Sequence, residues 1–132
     1  MPALWSSPVR YVECDQQGIV FNAHYLTWAD ETSNHWWAAH GLPWDEVAAL
    51  CQPSVKASAL EWTSSARWGE VVEVDAATER LGTTSVTVRY TVRVGDRVCC
   101  TVRNTYVAIA DGRSTPWPER VRSALERGPV AG

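Results

Sequence analysis

Between residues 86 and 94 apolar and polar side chains alternate without a break. Val86, Val88, Tyr90, Val92 and Val94 fall on one side, and Thr87, Arg89, Thr91 and Arg93 on the other. That period of two predicts a strand with one buried face. Gly95-Asp96 supplies a two-residue hairpin opening on glycine, and residues 97–110 return as its partner, up to a second turn at Asp111-Gly112. Upstream, Val72, Val74 and Ala76 alternate with Glu73 and Asp75 over residues 70–80, and Leu81-Gly82 turns that strand into the next. Weaker patterns predict strands over residues 55–62 and 9–14. One segment has a different period. At about 100° per residue, residues 25–40 put Tyr25, Leu26, Trp28, Ala29, Thr32, Ser33, Trp36, Trp37 and Ala39 on one half of a wheel. Thr27, Asp30, Glu31, Asn34 and His35 take the other half, so a long amphipathic helix is expected. Asn22 is its expected N-cap, and Gly41 followed by Leu42-Pro43 its stop. A short helix is expected from Pro43 through Val47, and a charged one over residues 118–127 with Val121 and Leu125 in contact.

The order is strand, long helix, then four mostly antiparallel strands: an α+β arrangement in which a sheet must cover a helix rich in tryptophan. A sheet of about five strands curled around one central helix satisfies that. Its edges stay exposed, and edges in a small domain tend to be paired by a second copy, so at least a homodimer is expected.

With 132 residues, 45% of them hydrophobic, the chain fills one domain spanning 1–132 and has no room for a second core. The net charge of −3, with arginines scattered singly, lacks the footprint of a nucleic-acid binder. The longest stretch free of Asp, Glu, Lys and Arg is 14 residues, from 16 to 29, too short for a membrane span. The opening residues have no basic flank leading into an apolar run, so a cytoplasmic protein is expected. Cys99 and Cys100 are adjacent, and with Cys14 and Cys51 they do not read as a disulfide framework. His24, His35 and His40 lack the helical spacing of paired zinc ligands, and no metal is expected. His40, near the end of the helix, would be favourable there as a cation.

The stretch from Tyr11 to Trp28 carries the candidate chemistry. It sets a carboxylate, Asp15, directly after a strand, then Gly18 in a turn, then the start of the long helix within about one turn of Asn22. A helix N-terminus presents unpaired N–H groups and partial positive charge to an oxyanion developing on a bound carbonyl. A carboxylate aimed at the same carbonyl attacks it or activates water against it. The same residues also make an ordinary Asp-x-x-Gly turn.

This segment, Glu13-Cys14-Asp15-Gln16-Gln17-Gly18-Ile19-Val20-Phe21-Asn22-Ala23-His24-Tyr25, resembles the signature of the 4-hydroxybenzoyl-CoA thioesterase family of hotdog-fold proteins. The likeness continues through Trp28, Asp30, the Gly41-Leu42-Pro43-Trp44 run, Pro53, the Gly69-Glu70 pair and the late strand over residues 102–110. The resemblance implies a helix wrapped by an antiparallel sheet, homodimers or homotetramers, and hydrolysis of acyl-CoA thioesters at the subunit interface without a separate cofactor. It makes Asp15 the nucleophile or general base, the backbone N–H near Asn22 the oxyanion donor, and Gly18 the residue that permits the turn and close approach of the thioester. His24, Tyr25, Trp28 and Asp30 are the substrate-side candidates on the helix, and Arg67, Arg89 and Arg93 those for the coenzyme A phosphates. Ser33 and Asn34 stand where many relatives carry arginine. Two other readings remain at this stage: a thioesterase acting on an acyl carrier protein, and a non-catalytic module that binds acyl-CoA.

Overall fold

The computed structural model describes residues 3–130. In chain order the elements are β1 (Trp5–Pro8), a 3-10 turn (Tyr11–Glu13), α1 (His24–Ala39), α2 (Trp44–Leu50), β2 (Ser54–Trp62), β3 (Val71–Leu81), β4 (Ser85–Val94), β5 (Arg97–Val107), β6 (Ile109–Ala110), β7 (Arg113–Ser114) and α3 (Glu119–Arg127). Five strands form one antiparallel sheet in the order β1-β3-β4-β5-β2, and β6 and β7 make a separate hairpin. One face of the sheet carries Val72, Val74, Val86, Val88, Tyr90, Val92, Cys100 and Val102, all fully buried. Against it α1 buries Tyr25, Trp28, Ala29, Thr32, Ser33, Trp36 and Trp37. The expected α+β architecture, five strands and one long helix, is what the chain adopts.

The details differ where a local hydrogen bond outcompetes the pattern. The N-terminal strand lies at Trp5–Pro8 instead of residues 9–14, because the Glu13 carboxylate accepts the Arg10 N–H at 2.7 Å and closes a turn there. The strand expected to reach Ala110 stops at Val107. Ala108 donates to the Thr84 carbonyl and its own carbonyl accepts from Thr115, so it leaves the sheet ladder. Asp111 and Gly112, both at positive φ (52° and 75°), then form the expected turn. α1 ends where glycine was expected to end it, with Gly41 at φ +76°. Its N-cap position, however, is Ala23 and not Asn22: Ala23 has helical backbone angles and no side chain caps the helix.

β2 is the exposed edge. Of its nine residues only Leu60 is half-buried, the rest being open on both faces, with Val55 and Trp62 about half exposed. The opposite edge, β1, is four residues long.

His40 is buried, not the exposed cation expected at a helix end. Its Nδ1 lies 2.7 Å from the Trp36 carbonyl, which can only accept, so Nδ1 carries the proton; Nε2 has no partner. Burial pushes its pKa below the ordinary histidine value, with the Trp36 carbonyl opposing and Arg127 adding to the drop. The unfolded chain therefore takes up a proton near pH 6.5 that the folded chain refuses. Stability is complete above that pH and falls below it, by up to about 1.4 kcal/mol per pH unit. Urea midpoints measured from pH 7.5 to 5.5 should fall further for the wild type than for His40→Asn, the gap between them closing as the pH drops; parallel curves would clear His40 of this role.

Candidate active site

Residues 14–20 form a tight hairpin that runs directly into α1. Cys14 and Val20 pair across its stem, Asp15 N–H donates to the Ile19 carbonyl at 2.9 Å, and Gly18 N–H to the Asp15 carbonyl at 3.0 Å. Gly18 sits at φ +75°, a conformation that suits glycine, but a Cβ there would meet nothing within 4 Å. Backbone conformation, not crowding, is what calls for glycine in the single chain. Asp15, at the first corner, is exposed. Its Oδ1 accepts the Gln17 N–H at 2.8 Å, which fixes the direction of the carboxylate as in any Asx turn.

Two clamps hold this hairpin. On one side Val20 N–H donates to the Ala66 carbonyl, Ile19 pairs with Arg67, and the Tyr25 hydroxyl accepts the Ala66 N–H at 3.0 Å. On the other is Glu13, a residue whose role is not read from the sequence. Its side chain is buried; Oε1 takes the Arg10 N–H and Oε2 the Trp28 Nε1–H at 2.9 Å. Burial pushes the carboxyl up, yet the Arg10 and Trp28 hydrogen bonds outweigh it, and its pKa lies below the ordinary glutamate value. A signal existed in the sequence: Glu13 is an acid two residues before Asp15 inside a motif that also supplies the indole fifteen residues on.

The remaining candidates fall into separate places. Asn22 is exposed beside the uncapped N-terminus of α1, and His24 is half-buried with its ring edge-on to Phe21 at 6.3 Å. Tyr25 and Trp28 are core residues in mutual edge contact at 5.2 Å, each with its polar atom engaged, so they support the hairpin from behind. Burial raises the Tyr25 hydroxyl above the ordinary tyrosine value. Asp30 borders two adjoining cavities beside the β2 edge. One, of about 320 Å³, is lined by Leu26, Thr27, Asp30, Val55, Ser58 and Asn104. The other, of about 290 Å³, lies between α1, Trp44, Pro53 and Tyr106. Asp15 lines neither.

Of the three arginines, Arg67 adjoins the hairpin. Arg89 and Arg93 stand on β4 in alternation with its buried residues, on the sheet face turned away from α1. Arg93 holds Asp75 at 2.9 Å and Glu73 at 3.1 Å with its side chain largely covered, so a phosphate there would have to displace two carboxylates. Arg89 lies 3.6 Å from Glu79. The single chain does not bring these two to the hairpin. All four cysteines are free thiols, and burial pushes Cys100 up to about 11. Among the described residues no three His, Cys, Asp or Glu side chains are grouped to hold a metal ion, and no helix is long and apolar enough to cross a membrane.

A family described as the thioesterase-like superfamily matches residues 9–125. Among solved structures, the chain is similar to a hypothetical protein from Thermus thermophilus, at 27% identity and TM-score 0.88 over 93% of this chain and 96% of that one. A thioesterase from the same organism, complexed with coenzyme A and zinc, is 20% identical, with TM-score 0.82 over 93% and 91%. A gentisyl-coenzyme A thioesterase is also 20% identical, with TM-score 0.83 over 92% and 98%. No curated protein matches the sequence significantly.

Glu13→Gln keeps the shape but turns an NH₂ toward one of two buried donors. It should cost about 1–3 kcal/mol of stability. Urea denaturation at pH 7 checks this; a loss under about 0.5 kcal/mol would show that the carboxylate is not what holds the turn.

Proposed function

The chain belongs to the thioesterase-like superfamily and is by that membership a thioester hydrolase; we propose that it is of the 4-hydroxybenzoyl-CoA type and cleaves an aryl- or short- to medium-chain acyl-CoA to the free acid and coenzyme A. The observation that carries this reading is the junction at residues 15–24: an exposed carboxylate fixed by its own turn, followed within one hairpin by a helix N-terminus that no side chain caps. The thioester carbonyl oxygen is set against the free N–H groups near Asn22, where they and the helix dipole stabilise the oxyanion. Asp15 either attacks the carbonyl carbon, giving an acyl-aspartyl anhydride that water opens, or takes a proton from water as it attacks. Thiolate leaves in both cases. Asn22 contributes its backbone N–H, and Gly18 holds the turn that aims Asp15.

Glu13 is excluded as the reacting carboxylate because both oxygens are occupied and buried. His24, on the first turn, takes a lesser part on the substrate side. Arg67, next to the hairpin, is the strongest of the three candidates for the coenzyme A phosphates. The reading is also supported by relatives of the same fold, one holding coenzyme A and one acting on gentisyl-coenzyme A. It requires nothing of a metal or redox cofactor, since water and the carboxylate supply every atom and proton of the hydrolysis.

We further read the active unit as a homodimer. β2 offers unpaired backbone groups along an edge with both faces open, and the cavities that Asp30 borders end on Val55 of that edge. A second copy paired along β2 would close them, cover Val55 and Trp62, and bring its own hairpin to the assembly.

Asp15→Asn should leave the fold and assembly unchanged while lowering thioester turnover at least about a hundredfold. Free-thiol release from a panel of acyl-CoAs measures it; a variant that keeps more than a tenth of the wild-type rate would remove Asp15 from the reaction. Light scattering should give a dimer or a dimer of dimers, and Ser58→Pro, which removes an N–H donor that faces outward from the β2 edge, should weaken assembly and activity together. An active wild-type monomer would overturn the dimer.

A further inference from the structure

Two arginine–aromatic pairs, Arg10-Tyr11 and Arg67-Trp68, are far apart in the sequence and adjacent in the fold. Tyr11 is 78% and Trp68 62% exposed, the two most exposed aromatic side chains among the described residues. Their rings meet edge-on, 5.8 Å between centroids and 77° between planes, so they cover little of each other. They stand by the tip of the hairpin: the Trp68 N–H donates to the Gly18 carbonyl at 3.5 Å, and Ile19 pairs with Arg67. The turn that presents Arg67 and Trp68 is itself held. Glu70 accepts the Arg67 N–H at 2.7 Å on Oε1 and the Arg97 guanidinium at 2.7 Å on Oε2, and Arg97 also donates to the Ser65 carbonyl at 2.7 Å. Arg97 thus answers the charge of Glu70, and the Arg67 guanidinium makes no ion pair or hydrogen bond among the described residues. Arg10 gives one nitrogen to the buried Glu13 at 3.4 Å, with its side chain 68% exposed.

We propose that this corner docks the nucleotide end of coenzyme A: the adenine stacks on Trp68 with Tyr11 beside it, and Arg67 and Arg10 meet the phosphate groups. The proposal rests on the acyl-CoA thioesterase reading above and names the carrier, coenzyme A and not an acyl carrier protein, which has no base to place on the rings. An indole face offers a flat base a stacking partner, and a guanidinium offers phosphate two N–H donors at once. Reach permits the arrangement. From Asn22, at the helix start, back to Gly18 is four residues, at most about 14 Å even as extended chain and less in a folded hairpin. The pantetheine arm is about as long as four extended residues, so a thioester held at the helix start carries its phosphates to the hairpin tip. Charge selects this occupant over a second copy of the chain. A copy seated here brings the same two arginines to a patch that already holds them, whereas coenzyme A brings phosphate.

The test uses the full-length protein, its best acyl-CoA, the same acyl group on pantetheine without the nucleotide, and adenosine 3′,5′-bisphosphate as a free probe. Wild-type kcat/KM should be at least about tenfold higher with the nucleotide than without it. Trp68→Ala should lower kcat/KM for the acyl-CoA at least about tenfold, through KM, while the pantetheine substrate changes by less than about threefold. Trp68→Phe should recover most of the loss, because any aromatic face serves a stacked base. Arg67→Gln should also raise KM for the acyl-CoA, by a factor that shrinks as salt rises. The bisphosphate should compete with the acyl-CoA and bind Trp68→Ala at least about tenfold more weakly in calorimetry. Equal wild-type kcat/KM with and without the nucleotide would overturn the docking site and leave the thioesterase reading standing. So would a Trp68→Ala loss of equal size on both substrates, or one that comes with a lower mass in light scattering, which would make the corner a contact between copies. Should no acyl-CoA be hydrolysed, the thioesterase reading falls; bisphosphate binding that Trp68→Ala abolishes would still support the docking site, and no binding would end both.

Discussion

The hydrogen bond from the Trp28 indole to the buried carboxylate of Glu13 joins the two parts of the molecule that matter for chemistry. Trp28 belongs to the apolar stripe of α1 and is fixed by the sheet beneath it. Glu13 belongs to the strandless segment before the hairpin and closes its turn through the Arg10 N–H. Around that bond the segment has few other anchors: Val9 is buried, while Tyr11 and Val12 within the turn are about three-quarters exposed and Tyr11 meets only the edge of Trp68. The position of Asp15 thus depends on burial of an aromatic helix face two turns away. Together with the Ala66 and Tyr25 clamp on the other side, this charge-assisted hydrogen bond carries rigidity from the hydrophobic core into an exposed loop.

Much of this was legible in the sequence because the relevant patterns are long. The alternation over residues 86–94 and the wheel over 25–40 each involve enough positions to fix an element and its buried face, and the glycine at 41 ends the helix as its chemistry demands. The failures are local. Residues 9–14 look like a strand until the Glu13 side chain takes the backbone N–H of Arg10; Asn22 looks like a cap, but the chain is already helical at Ala23. Each is a contest between near-equal local hydrogen bonds, decided by where the core puts the ends of the segment.

The site divides in the same way. Asp15, Gly18 and the helix start are contiguous in sequence and could be read together. Asn104, Tyr90 and Tyr106 could not: they sit at buried positions of β4 and β5, where a polar residue in an alternating run carries no sign of what it will face. Only the register of the two strands, which sets Tyr90 opposite Val102 and Val88 opposite Asn104, brings the hydroxyls and the amide under one face of α1. For the same reason Arg89 and Arg93 were plausible phosphate partners on paper, while alternation turns them to the far side of the sheet and Arg93 into the grip of Asp75 and Glu73.

The two carboxylates of the motif end up with opposite duties because of what surrounds them. Glu13 is buried with both carboxylate oxygens hydrogen-bonded, so its charge is held in place and its oxygens have no freedom to approach a carbonyl. Asp15, two residues on, has one oxygen tied to Gln17 and stands in the open. An exposed carboxylate is a weak base and a well-solvated nucleophile in water, so by itself this geometry is poorly poised for attack. Closing the site raises its reactivity by removing that water, and the open β2 edge is the surface along which a second copy would close it. On the proposed reading, assembly and catalysis are one requirement: the hairpin supplies direction within a chain, and pairing of chains would supply the dry environment in which that direction counts.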